Sequence, residues 1–150
     1  MTYQVTIEAF YAGDPDQIFS EACQFSELVD AMSSIATYDG LPQGAAAQGE
    51  TYVVDVTLFG LVKNPGHTMF VERLDPVARI LQSREHNASV SRWDHTLSVQ
   101  PGDGGTIWTD TVIIEAPRME WATARFARFV YKRRHKHRRA LHIATSIKRV

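Results

Sequence analysis

Six histidines, seventeen carboxylates and a single cysteine are the groups in this chain with chemistry to offer. A hairpin can bring two of them together. Trp93-Asp94-His95 opens a β-forming stretch that runs to Val99, and Ile107 to Glu115 is another. Between them lies Pro101-Gly102-Asp103-Gly104-Gly105, the clearest turn signal in the chain. If the turn is symmetric, so that Val99 pairs with Thr106, His95 falls directly opposite Asp110. Directly opposed side chains lie about 4.5–5.5 Å apart at Cβ, within reach of a hydrogen bond. Strand alternation then puts His95 on the face of Trp93, Leu97 and Val99, and Asp110 on the face of Trp108, Val112 and Ile114. An imidazole oriented by a carboxylate acts as acid, base or hydrogen-bond donor to a carbonyl. The same pair in a core does no more than satisfy two buried polar groups. The pairing depends on register, because a slip of one residue sends one partner to the opposite face.

The remaining candidates point to less. His67, His86 and His95 fall on different expected elements, with no helical i, i+4 pair and no Cys/His spacing, so no metal site and no cofactor are expected. Cys23 cannot form an intrachain disulfide and suits a small helix filler better than a nucleophile. No strand–turn–helix nucleophile elbow surrounds any serine. The glycine turn has no helix after it, so it is not a phosphate loop. The basic run Lys132 to Arg139 has the charge for nucleic acid, but Tyr131 is its only adjacent aromatic. Residues 1–116 carry 5 Lys and Arg against 16 Asp and Glu, while residues 117–150 carry 11 against 1. Two halves so opposed neutralise each other within one fold, so Arg133 and His137 are expected to approach carboxylates of the sheet, and no nucleic-acid partner is expected. No apolar run approaches the roughly 18 residues of a membrane span. The opening Met1-Thr2-Tyr3-Gln4 has no basic n-region, and with one cysteine the expectation is a cytoplasmic protein.

Elements must position these groups. The 150 residues, 44% hydrophobic and 22% charged, suit a single domain over residues 1–150. Tyr3 to Phe10 alternates as a strand. Asp14-Pro15-Asp16-Gln17 supplies a cap and a first-turn proline for a short helix to about Cys23, and a second short helix starts near Ser26. Gly40 to Gly49 reads as a loop. Strands follow at Tyr52–Phe59, Met69–Leu74, Arg79–His86, Trp93–Val99 and Ile107–Glu115. Pro117 then opens a helix with no breaker before Ala144, about 42 Å long at 1.5 Å per residue. Met119, Ala122, Phe126, Phe129, Val130, Ala140, Leu141 and Ala144 fall near one stripe of it, expected to face the sheet. Hairpin-linked strands imply an antiparallel sheet, and the helix is the one large apolar element left to cover it.

This order resembles the START-like (SRPBCC) superfamily, in particular its polyketide cyclase/dehydrase and lipid-transport branch. The resemblance covers nearly the whole chain. It rests on Asp14 to Phe19 after the first strand, Leu58-Phe59-Gly60, Trp93-Asp94-His95 before the glycine turn, Thr109-Asp110-Thr111-Val112, and the basic run before Leu141. It implies an α+β helix-grip fold: a curved antiparallel sheet wrapped around a long C-terminal helix, with two short helices after the first strand. It also implies a cavity between sheet and helix for an apolar or aromatic small molecule. Its lining is expected to draw on Trp93, His95, Leu97, Trp108, Asp110, Val112, Phe126, Phe129 and Val130. A carrier or sensor of a small hydrophobic molecule is the first function this suggests. A cyclase, dehydratase or isomerase using His95 and Asp110 is the alternative, and a co-chaperone-like interaction domain is a weaker one. The fold itself does not choose among them.

Overall fold

The computed structural model describes all 150 residues. Strand β1 (Tyr3–Tyr11) leads into helices α1 (Pro15–Ala22) and α2 (Phe25–Ala31). Strands β2 (Ala36–Asp39), β3 (Thr51–Leu58), β4 (Val62–Asp75), β5 (Ile80–His86), β6 (Arg92–Gly102) and β7 (Gly105–Glu115) follow. Helix α3 (Glu120–His137) and strand β8 (His142–Arg149) complete the chain. All eight strands form one antiparallel sheet in the order β2-β3-β4-β5-β6-β7-β1-β8. The sheet curves around α3 in an α+β helix-grip arrangement. Irregularities between Val54 and Val56 and between Val71 and Arg73 break the β3–β4 and β4–β5 registers, as bulges do where a strand must bend. Asp14 caps α1 by accepting from the Asp16 and Gln17 backbone N–H groups, with Pro15 in the first turn.

The last helix departs from the sequence expectation in two ways. It ends at His137 rather than near Ala144, and the chain turns through Arg139, a non-glycine residue at φ 61°, into β8. Residues 142–149 pair with β1, so Ala144 belongs to an edge strand and not to the helix. The helix also presents a different face to the sheet. Ala124, Ala127, Tyr131, Arg134 and His135 are its buried residues, while Met119, Trp121 and Phe129 are exposed. Alanine at 124 and 127 lets the helix lie close over Val5, Ile7, Val112 and Ile114, where a larger side chain would hold it off. Of the expected stripe, Met119, Ala122, Phe126 and Val130 instead border the space beside that contact, and Phe129 points away from it.

The hairpin register differs as well. Gly102 pairs with Gly105, and Val99 pairs with Trp108 rather than Thr106. Gly104 takes the turn at φ +72°, and Gly105 lets β1 approach closely, since a Cβ there would stand 2.3 Å from the Tyr11 carbonyl oxygen. Relative to the symmetric expectation the strands are slipped by two residues. A slip of two preserves which face each side chain takes, so His95 and Asp110 remain on one face as diagonal neighbours, with Leu97 opposite Asp110 and His95 opposite Val112.

Candidate functional site

The sheet, α2 and α3 line a half-open cavity of about 570 Å³, within the usual size range of small-molecule sites. Of its 32 lining residues 22 are hydrophobic, so burial of apolar surface dominates what it can bind. Leu28 of α2, Met32 just after it, Val56 and Leu58 of β3, and Phe126 and Val130 of α3 supply much of that lining. A separate hollow of about 520 Å³ lies on the outside, between α1 and the β4–β5 turn, lined by Phe19, Cys23, Leu74 and Arg79 among others. Arg79 already bonds Asp16 there at 2.7 Å.

Asp110 is fully buried beside the cavity and joins two histidines. Its Oδ1 lies 2.7 Å from His95 Nε2, and its Oδ2 lies 2.7 Å from His135 Nε2. Burial alone would raise the Asp110 pKa, but the bonds from His135 and His95 outweigh it and hold the carboxyl far below its usual range. An ionised carboxylate only accepts, so both imidazoles donate from Nε2. His135 Nδ1 then accepts from the Tyr11 hydroxyl at 2.6 Å. His95 Nδ1 bonds to no protein group, and His95 lines the cavity. In its uncharged form His95 therefore presents a lone pair to a ligand.

A second carboxylate–histidine cluster stands on the cavity wall. Glu85 Oε1 accepts from Ser83 Oγ at 2.6 Å, and Glu85 Oε2 lies 2.8 Å from His67 Nε2. Asn87 Nδ2 lies 3.1 Å from His67 Nδ1. The Asn87 amide cannot be turned round, because its Oδ1 accepts the Ser89 and Val90 backbone N–H groups at 2.8 and 2.9 Å. Asn87 thus donates to His67 Nδ1, and His67 donates from Nε2 to Glu85. Burial alone would raise the Glu85 pKa, but the His67 bond, the nearby His67 and His95 rings and Ser83 hold it below the usual value. Tyr131, whose ring centroid is 5.0 Å from that of His95, accepts from Trp93 Nε1 at 3.2 Å and keeps its own proton. Burial pushes its phenol well above the ordinary pKa.

Among the residues expected to line the cavity, Trp93, His95, Leu97, Phe126 and Val130 do so. Trp108, Asp110 and Val112 lie fully buried off the lining, and Phe129 is 47% exposed outside it. Trp108 instead packs beneath Arg134 and Arg138, whose guanidinium carbons are 4.9 and 5.1 Å from its ring centroid. Sequence reasoning missed Tyr11, His135, Tyr131, Ser83, Glu85, His67 and Asn87. His135 had a signal: with Ala124, Ala127 and Tyr131 it keeps helical spacing on one side of α3. The Glu85 cluster had none, because the irregular β4–β5 register sets it.

The basic run also finds different partners from those expected. Arg134 bonds Glu27 at 2.5 Å, Arg138 bonds Glu21 and Glu27 at 3.0 and 3.2 Å, and His137 bonds Asp30 at 3.1 Å. These carboxylates belong to α1 and α2, not to the sheet, and Arg133 is exposed without an ion pair. Burial pushes the Cys23 thiol up to about 11, the opposite of an activated nucleophile. No group of three or more His, Cys, Asp and Glu is arranged to hold a metal ion. No helix is long and apolar enough to cross a membrane.

The fold, with this geometry, has counterparts among solved structures. Protein CV1439 from Chromobacterium violaceum superposes with a TM-score of 0.72 at 10% identity, over 89% of this chain and 92% of that one. Ara h 8.0201 superposes with a TM-score of 0.64 at 10% identity, over 91% and 97%. Both likenesses are of fold alone, the helix-grip architecture of a curved antiparallel sheet around a long helix. No protein-family model matches the chain. No curated protein matches it either.

Proposed function

We propose that this protein binds a small hydrophobic or aromatic molecule in the cavity between the sheet and α3, as a carrier or sensor. The observation that carries this reading is the cavity itself: about 570 Å³, mostly apolar, with His95 as a polar group held in place from behind by Asp110. Affinity would come from apolar burial and orientation from His95. Native mass spectrometry of freshly purified protein would identify any co-purified molecule. Nile red, a neutral apolar dye, should bind and be displaced by naphthalene. Val130→Phe, which fills the cavity, should abolish dye binding while the protein stays folded. If no dye binds and no small apolar compound raises the melting temperature, the reading fails.

The unpartnered Nδ1 of His95 favours a second reading, that of a cyclase, dehydratase or isomerase. Asp110 would orient the ring, and Nδ1 would take a proton from an activated carbon or hydroxyl. Such an enzyme would catalyse solvent deuterium exchange into a bound carbonyl compound, and His95→Leu would abolish the exchange.

A further inference from the structure

Most of the cavity lining is apolar, and several of its hydrogen-bond acceptors stand together on one wall. Ser83 pairs directly with His95 across β5 and β6, so their side chains stand about 4.5–5.5 Å apart at Cβ. Glu85 is two residues further along the same face of β5, and Trp93, opposite it, lies two residues from His95 on β6. Four residues from three strands thus meet at one wall: His95, Ser83, Glu85 and, from β4, His67.

The hydrogens in this group are committed. Ser83 gives its hydroxyl proton to Glu85, His67 gives its Nε2 proton to Glu85, and His95 gives its Nε2 proton to Asp110. His67 Nδ1 is occupied by Asn87. What remains open toward the cavity is the Nδ1 lone pair of uncharged His95, the Ser83 oxygen and the unused lone pairs of Glu85, all of them acceptors. Tyr131, whose ring centroid lies 5.0 Å from that of His95, supplies a donor at this wall, its phenolic proton; Tyr38 and Arg134 also line the cavity, and Arg134 already bonds Glu27 and the Ala22 carbonyl oxygen.

Building on the cavity-binding reading, we infer that this wall is an acceptor pole that selects a ligand bearing a neutral hydroxyl group on an apolar or aromatic body and rejects the corresponding carboxylate. A hydroxyl gives its proton to His95 or Glu85 and takes one from Tyr131, so both of its hydrogen-bonding capacities are met. An ether offers only an acceptor and leaves the pole unsatisfied. A carboxylate meets Glu85 with Asp110 behind it, two like charges, while the one guanidinium on the lining, Arg134, is already paired with Glu27. The pole therefore distinguishes phenols and alcohols from acids of the same size.

The test is a four-compound series on the wild-type protein at pH 8, by calorimetry: naphthalene, 2-methoxynaphthalene, 2-naphthol and 2-naphthoate. The expected order has 2-naphthol binding about tenfold more tightly than 2-methoxynaphthalene, the difference one satisfied hydrogen bond makes. The carboxylate should bind more weakly than naphthalene. Glu85→Gln, read by the same series, should narrow the gap between 2-naphthol and 2-naphthoate, and Ser83→Ala should lower the preference for 2-naphthol alone. Equal binding of naphthalene, ether and phenol would overturn the acceptor pole while leaving the cavity reading intact. Tightest binding by 2-naphthoate would overturn it too. Failure of all four, naphthalene included, would overturn the cavity reading and the pole with it.

Discussion

Two carboxylates serve the concave side of this sheet, and they are held in opposite ways. Asp110 has no exposed surface and is clasped between two histidines, one on β6 and one on α3, with Tyr11 behind the second. Glu85 keeps 12% of its side chain exposed and stands on the cavity wall, with all its partners on β4 and β5. The first network ties three parts of the fold together: β1 through Tyr11, the β6–β7 hairpin, and α3. The second stays within neighbouring strands and faces the cavity. A buried ion with its partners removed is costly, and a wall-side one can turn to water. The Asp110 network is therefore chiefly structural, with one end, His95, open to the cavity. The Glu85 network, in the proposed reading, is chiefly a recognition surface.

The largest test of that contrast is truncation of the two acids. Asp110→Ala should destabilise the protein by about 3–5 kcal/mol, because two buried imidazoles lose their common acceptor. Glu85→Gln should cost about 1 kcal/mol, since the amide keeps one acceptor for His67 or Ser83. Urea unfolding of both variants measures this, and equal losses would erase the distinction. Acid should expose the same difference. The Asp110 pKa is depressed in the folded protein, so its contribution is fully present above its ordinary value of 3.8 and is lost as pH falls through the folded value. In Asp110→Asn that component is absent. Wild-type stability should therefore converge on that of the variant below about pH 4, in unfolding curves taken from pH 7 downward.

A smaller effect comes from the far end of the same network. Tyr11→Phe removes the donor to His135 Nδ1 and leaves that buried nitrogen unsatisfied, at a cost of about 1–3 kcal/mol. Tyr11 does not line the cavity, so dye affinity should be unchanged. A variant of normal stability with weakened dye binding would place Tyr11 in the recognition machinery instead.

The two networks were also unequally legible in the sequence. His95 and Asp110 were found because a glycine turn between two alternating strands fixes which side chains share a face, and that survives a slip of two residues. Helix α3 was overextended because its end carries no glycine or proline; Arg139 adopts the positive φ that a glycine would have advertised. The strand after it had a signal in Ile143, Thr145 and Ile147, an alternation of β-branched residues that the helical pattern overrode. Strand β2 is four residues long and shows no period. The buried face of α3 differs from the expected one for another physical reason. Large apolar residues were assigned to the sheet, whereas close packing there needs alanine, and the phenylalanine and valine at 126 and 130 were left for a cavity that only the assembled fold reveals. The Glu85 cluster depends on a long, bulged strand whose register no local pattern specifies.

The smallest expected effect isolates the geometry of the wall-side network. Asn87 does two things at once: its Oδ1 closes a turn on Ser89 and Val90, and its Nδ2 forces His67 Nδ1 to accept. Asn87→Ala should lose both, costing about 1 kcal/mol. Asn87→Asp keeps the turn, because a carboxylate oxygen still accepts the two backbone N–H groups. The atom facing His67 Nδ1, however, becomes an acceptor, and two facing lone pairs repel. The variant relieves this by placing a proton on Nδ1, so that His67 bridges two carboxylates with hydrogens on both nitrogens. Stability should change by less than about 1 kcal/mol, since one ion pair at the edge of the cavity replaces one hydrogen bond. The readout is the pair of imidazole ¹⁵N chemical shifts of His67 at pH 7. Wild type should show a bare Nδ1 and a protonated Nε2, and Asn87→Asp should show both protonated. A bare Nε2 in the wild-type protein would mean that Glu85 accepts nothing from His67, and the wall would lose the hydrogen-bond order that makes it selective.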